Sequence, residues 1–297
     1  MNRLSVVRAI GFTVAALLLS ACATPPAPVA PPATATVAPP NPTLPPPTAT
    51  PLPTASLHPF EGLAEWDVVV IGDSSLWGVA EPYAKLIEQD RKIKVNLHDD
   101  WQGGLSIRSI LKALQGDFEH SSKREKWPQL IRDAEVLVLF GNPQESLDAE
   151  LAGAGWACID SRDPGEVTFT TEGFAPYKAD LVEVYDEIAR LREGRPLILR
   201  ATGIYLPTIS VWRDKGIEGE CGAFWEGITA AARQAAEERG VQFVDTYAAF
   251  NGPDHDQDPR TQGHMKDDGE HLSEAGAQFY AKLLQQSGYD AWVAQQP

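Results

Sequence analysis

The sequence predicts an α/β sandwich built on a five-stranded, mostly parallel sheet, and three observations lead there. Apolar runs such as Val68-Val69-Val70-Ile71 and Val136-Leu137-Val138-Leu139-Phe140 fill consecutive positions instead of alternating ones. Strands of that kind are covered on both faces, as in parallel sheets. Helical segments with apolar residues at 3.6-residue spacing fall between the runs, which is the order that parallel strands require. The two strongest runs stop at glycine, in Gly72-Asp73-Ser74 and Gly141-Asn142-Pro143, and in such sheets function collects beyond the carboxyl ends of the strands.

Taken in order, the first run, from Trp66, reads as a central strand ending in a sharp turn. Pro82 to Asp90 reads as a helix with proline in its first turn and Tyr83, Leu86 and Ile87 on one side. Ile93 to Leu97 is the second strand. After Trp101-Gln102-Gly103-Gly104-Leu105, Ser106 caps a helix carrying Ile107, Ile110, Leu111 and Leu114. A short helix over 126–133 leads into the strand Val136–Phe140. Residues 144–175 show no regular pattern and are left unassigned. A helix over 179–193, ended by Gly194, precedes the strand 196–200; a loop over 203–221, a helix over 223–239 and the strand 241–245 follow. The last helix runs over 273–286.

The amino-terminal part is organised differently. Arg3 and Arg8 precede the uncharged stretch Ala9 to Ala21, a signal-peptide layout too short for a stable transmembrane anchor. It ends in Leu19-Ser20-Ala21-Cys22, which resembles the bacterial lipoprotein processing box with Cys22 as the lipidated residue. Acyl chains there anchor a protein to a membrane without a spanning helix. Residues 23–58 hold no charged side chain and are dominated by Pro, Ala and Thr, the composition of an extended stalk. This organisation predicts a signal peptide over 1–22, a stalk over 23–58 and a folded domain over 59–297, exported and lipid-anchored on the extracellular or periplasmic face of a bacterial cell envelope.

All 41 Asp and Glu residues lie in the folded portion, and the chain carries a net charge of −16. That surface disfavours nucleic acid as a partner. With Cys22 assigned to lipid, Cys158 and Cys221 remain as a disulfide candidate in an oxidising compartment. The acidic stretch from Asp254 to Asp268, with His255 and His264, matches no metal-ligand spacing and reads as a solvated loop. Neither a metal nor a cofactor is expected.

Ser74 is placed as a candidate nucleophile. A serine hydroxyl needs a base to take its proton, normally an imidazole held in one tautomer by a carboxylate. Asp268-Gly269-Glu270-His271-Leu272-Ser273 offers both groups at the mouth of the last helix. Donors for a developing oxyanion are available from Ser74 N–H, Gly104 N–H and the Asn142 amide. Ser75 is a rival nucleophile, Gly103 competes with Gly104 by one register, and Asp73 reads as a local hydrogen-bonding group. Trp77, Trp101 and Trp156 are candidate pocket aromatics.

These blocks together resemble the GDSL-type esterases, or SGNH hydrolases, over most of residues 65–287. Gly72-Asp73-Ser74 resembles the first block, Gly104-Leu105-Ser106 the second, Gly141-Asn142-Pro143 the third and Asp268 to Ser273 the last. Ser75 stands where the family name has leucine, and Pro143 where the family usually has aspartate. The resemblance implies a flavodoxin-like, three-layer α/β/α fold. It also implies metal-independent hydrolysis of a carboxylester, sugar O-acetyl group or lipid acyl ester, with Ser74, Asp268 and His271 as the triad. A surface protein that binds glycan or lipid without catalysis, and an O-acyltransferase, are the alternatives.

Overall fold

A computed structural model describes residues 58–118 and 122–294. The signal peptide, Cys22 and almost all of the stalk expected from the sequence lie outside the described residues. Five strands, β1 (Glu65–Gly72), β2 (Lys94–Trp101), β3 (Val136–Leu139), β4 (Ile198–Thr202) and β5 (Gln242–Val244), form one sheet in the order β2-β1-β3-β4-β5. Every pairing is parallel. This is the flavodoxin-like order, whose ligand crevice opens where the chain switches from the β1 side to the β3 side.

The two faces of β1, β3, β4 and β5 feed separate cores, which is why consecutive positions in the central strands are apolar. Val69, Ile71, Leu137, Leu139 and Leu199 point into the larger core. There they meet α2 (Ile107–Leu114), α3 (Trp127–Asp133), α4 (Ala149–Ile159), α5 (Ala175–Arg192), α6 (Ile209–Lys215) and α7 (Glu218–Glu238). Val68, Val70, Val136, Val138 and Ile198 face the smaller core under α1 (Ala80–Arg91), α8 (Thr246–Asn251) and α9 (Glu274–Gln286). Three layers result.

Several elements differ from the sequence reading, each for a physical reason. β2 continues past Leu97 through His98-Asp99-Asp100-Trp101, because an edge strand with one free side tolerates polar residues and still pairs, down to Gly72 opposite Trp101. The unassigned stretch contains α4, started by Asp148, whose side chain accepts from Glu150 N–H (3.0 Å) and Leu151 N–H (2.9 Å). α4 carries Gly155, where a Cβ would lie 2.4 Å from the Phe224 ring on α7. The 203–221 loop contains α6, α7 begins five residues before Ala223, and the short α8 follows β5 directly.

Cys158 on α4 and Cys221 on α7 are bonded, with S–S 2.04 Å across 63 residues of sequence. At the opposite end of the sheet the chain's entry and exit are pinned together. His58 Nε2 bonds Tyr289 O at 2.7 Å and its ring stacks on Trp66, near the start of β1. Leu197, just before β4, exchanges two main-chain hydrogen bonds with Trp292. The buried Arg200 guanidinium donates to Gly288 O and Ser287 Oγ, both at 2.8 Å.

Closing a loop of this length restricts the unfolded chain, so the Cys158→Ser/Cys221→Ser double variant is expected to lose about 2–4 kcal/mol of unfolding free energy. Urea denaturation with and without reductant checks this. A midpoint that responds to neither the reductant nor the substitutions contradicts it.

Candidate active site

The site begins where β1 ends. A Cβ on Gly72 would lie 2.4 Å from Leu76 Cδ1 and 2.9 Å from Phe140 O, so only glycine lets the chain turn back on itself there. The turn is a single 3-10 turn, Ser74–Leu76, capped by Asp73, whose Oδ1 accepts the Ser75 N–H at 2.8 Å. Asp73 is 8 % exposed, and burial raises its carboxyl above the ordinary range against the opposing hydrogen bonds of Ser75 and Asn142. Ser75 is buried beside it, whereas Ser74 is part-exposed. The accessible hydroxyl of the pair is therefore that of Ser74. α1 begins only at Ala80, with Pro82 in its first turn.

Two more strand ends bring donors to the same place. Gly104 follows β2 with φ +68°, a left-handed conformation suited to glycine. Gly104 lines the pocket with Ser74; Gly103 does not. Among the described residues neither Ser74 N–H nor Gly104 N–H has an acceptor. Beyond β3, a Cβ on Gly141 would meet the Ile107 backbone at 2.7 Å, and Tyr177 Oη donates to Gly141 O at 2.9 Å. Asn142 N–H donates to Leu105 O and Asn142 O accepts from Ile107 N–H, each at 3.0 Å, clamping the β3 exit to the start of α2. Asn142 Oδ1 accepts from Gln144 N–H at 3.2 Å, which leaves its NH2 group on the Asp73 side. That NH2 group carries two donor protons. Pro143 begins a turn closed by Ser146 N–H on Pro143 O (2.8 Å), so its missing N–H leaves Asn142 in position.

His271 and Asp268 lie on a turn ahead of α9. Asp268 Oδ1 accepts the N–H groups of His271 and Glu270, both at 2.9 Å, and Oδ2 takes His271 Nδ1 at 3.0 Å. A carboxylate only accepts, so Nδ1 carries the proton and Nε2 is left as the basic nitrogen. The His271 and Glu270 N–H groups, with the imidazole behind them, hold Asp268 down at about 2. Ser273 caps α9 through Gly276 N–H (3.0 Å), and a Cβ on Gly276 would lie 2.0 Å from His264 O, which fastens the loop to the helix.

Ser74, Ser75, Gly104, Asn142 and His271 all line one cavity of about 210 Å³. Asp268 stands behind His271, outside the lining. Ile204, Tyr205, Pro207, Thr208, Phe224, Trp225 and Ile228 make much of the wall; they come from α7, which the sequence marks as a helix without marking it as part of a site, and from the stretch before α6, which reads as a loop. Of the three tryptophans, Trp156 lines the cavity, while Trp77 and Trp101 stack together outside it. In the acidic stretch, Asp258 pairs with Arg260 (2.8 Å) and His255 pairs with Glu226 while stacking on Tyr247. Among the described residues no group of three His, Cys, Asp or Glu side chains is arranged to hold a metal.

No protein-family profile and no curated protein matches the chain. Solved structures do. The lipase Lip_vut3 from a goat rumen metagenome aligns over 75 % of this chain and 98 % of its own, at 19 % identity and TM-score 0.51. Axe2, an acetylxylan esterase from Geobacillus stearothermophilus, aligns over 78 % and 97 %, at 17 % identity and TM-score 0.48. A lipase/acylhydrolase from Enterococcus faecalis aligns over 78 % and 100 %, at 16 % identity and TM-score 0.45. What the likeness to the rumen lipase establishes is the fold.

The Asp268 geometry fixes a pH dependence. Its folded value lies below the ordinary 3.8, so its contribution to stability is complete above about pH 4 and is lost as pH falls through about 2. Carboxyl-carbon NMR should give a titration midpoint near 2 for Asp268; a midpoint at the ordinary value contradicts these hydrogen bonds.

Proposed function

We propose that the protein is an exported, membrane-tethered serine esterase that cleaves a carboxylester, sugar O-acetyl group or lipid acyl ester through an acyl-enzyme at Ser74. One observation carries the reading: an accessible serine, two unpaired N–H groups and a carboxylate-oriented imidazole converge on a single cavity. The cavity needs no metal or cofactor for this chemistry. Its far wall of Trp156, Ile159, Phe224 and Ile228 suits an apolar substrate group.

In the reaction, Ser74 Oγ attacks the ester carbonyl carbon while His271 Nε2 takes its proton, and Asp268 balances the imidazolium charge. Negative charge moves to the carbonyl oxygen, where Ser74 N–H, Gly104 N–H and an Asn142 amide proton receive it. Collapse breaks the ester C–O bond, and His271 gives its proton to the departing alcohol. Water then enters, loses a proton to His271 and attacks the acyl carbon. The carboxylic acid leaves and Ser74 recovers its proton.

The tether rests on the sequence: the uncharged run ending in Leu19-Ser20-Ala21-Cys22 supports lipidation at Cys22, and the proline-rich segment supports a stalk. Among the described residues no helix is long and apolar enough to cross a membrane.

With p-nitrophenyl acetate, Ser74→Ala and His271→Ala are each expected to reduce kcat by about a thousandfold or more. Asn142→Ala is expected to cost about a hundredfold. Full activity in the Ser74 and His271 variants overturns the mechanism. A fluorophosphonate probe should label Ser74; an unlabelled, inactive protein that retains glycan or lipid points to a binding module. Ester formation with an added sugar acceptor points to acyl transfer. Growth with labelled palmitate in a bacterial host should mark the wild type and leave Cys22→Ala unmarked; equal labelling refutes lipidation at Cys22.

A further inference from the structure

The inference here rests on reading Ser74 and His271 as nucleophile and base, and it concerns what holds them in register. Ser74 is fixed at the end of a buried strand. His271 sits on a surface turn whose arms are joined by the Met265–Leu272 bridge and by Lys266 N–H on His271 O (2.8 Å). Asp268, which orients the imidazole, is itself exposed on that turn. These bonds fix the ring relative to its own turn. They do not fix the turn relative to Ser74.

Beyond the core that Leu76 and Leu272 share, Trp77 makes a direct connection. It closes the turn that carries Ser74, with Trp77 N–H donating to Ser74 O at 3.1 Å. Its indole stacks on Trp101 (centroids 5.4 Å, planes 25° apart), the last residue of β2 and the partner of Gly72 in the sheet. The His271 ring stands against the same indole at 5.3 Å and 73°. On the indole lies Lys266 Nζ, 3.0 Å from the ring centroid. Lys266 makes no ion pair among the described residues, so the ring is the partner its ammonium has found. Trp77 remains 40 % exposed. An exposed indole beside a reacting imidazole calls for a reason, and lining the cavity is not that reason.

We propose that Lys266 and Trp77 form a cation–π latch that docks the Asp268–His271 turn onto the Ser74 turn. Both are positioning residues: Lys266 moves with the histidine, Trp77 moves with the serine, and their contact joins the two halves of the site. Displacing a base by a fraction of an ångström lowers turnover while leaving substrate binding nearly unchanged.

The test is kinetic and spectroscopic, on the intact protein. Lys266→Gln should lower kcat about tenfold or more with little change in KM or in thermal midpoint, and Lys266→Arg, which restores a cation on the ring, should recover most of the loss. Wild-type kcat in Lys266→Gln, or equal losses in the Gln and Arg variants, overturns the latch. NMR reads the geometry independently of turnover. The His271 ring protons should be displaced by the Trp77 ring current in the wild type and Lys266→Arg, and should move towards free-histidine positions in Lys266→Gln and Trp77→Leu. An unchanged shift in Lys266→Gln refutes the latch even in an active enzyme. The expected shifts in a protein that hydrolyses no ester uphold the latch and count against the esterase reading alone.

Discussion

The site depends first on a buried carboxylate. Asp73 leaves the central strand into a nearly solvent-free position, where its charge is costly and must be met by donors. Ser75 N–H on the β1 exit donates to it, and the Asn142 side chain on the β3 exit lies close enough to favour its charged form. Asp73 thereby links the turn that carries Ser74 to the side chain of Asn142. Gly72 and Gly141 make the arrangement possible, because each lies where a Cβ would strike its neighbours. Losing either contact would leave a buried carboxyl less well met, which is how an internal hydrogen bond constrains the geometry of the candidate site.

The two halves of the site are built to different standards. Ser74, Gly104 and Asn142 stand on consecutive strand ends and inherit the rigidity of the sheet. The Asp268–His271 turn has no strand beneath it and relies on side-chain contacts, on Gly276 against His264 O, and on the start of α9. On the proposed reading of the site, the candidate nucleophile is thus placed by main-chain pairing and the candidate base by local docking. Substitutions near the base are correspondingly able to change turnover without unfolding the protein.

Much of this was legible in the sequence, for reasons that the structure makes clear. Val68–Ile71 and Val136–Leu139 read as covered strands because alternate residues enter two different cores. Asp268 and His271 could be paired because three residues of turn bring a carboxylate back to a ring and to two N–H groups at once. The cavity wall was less legible. α4, with the sequence Ala-Glu-Leu-Ala-Gly-Ala-Gly-Trp-Ala-Cys-Ile, lacks a polar face and carries two glycines; its helical form is upheld by the Asp148 cap, the Phe224 ring against Gly155 and the bond to Cys221. α6 and α8 are too short for a period to show, and the outer half of β2 is polar because it runs along an edge. The contact between Lys266 and Trp77 joins residues almost two hundred positions apart, and no local pattern marks it.

The pinning of His58 to Tyr289 and of Leu197 to Trp292 gives the folded domain a polarity. The first and last described segments meet at the edge where the strands start, and the cavity opens at the edge where they finish, about 25 Å away for a strand of eight residues.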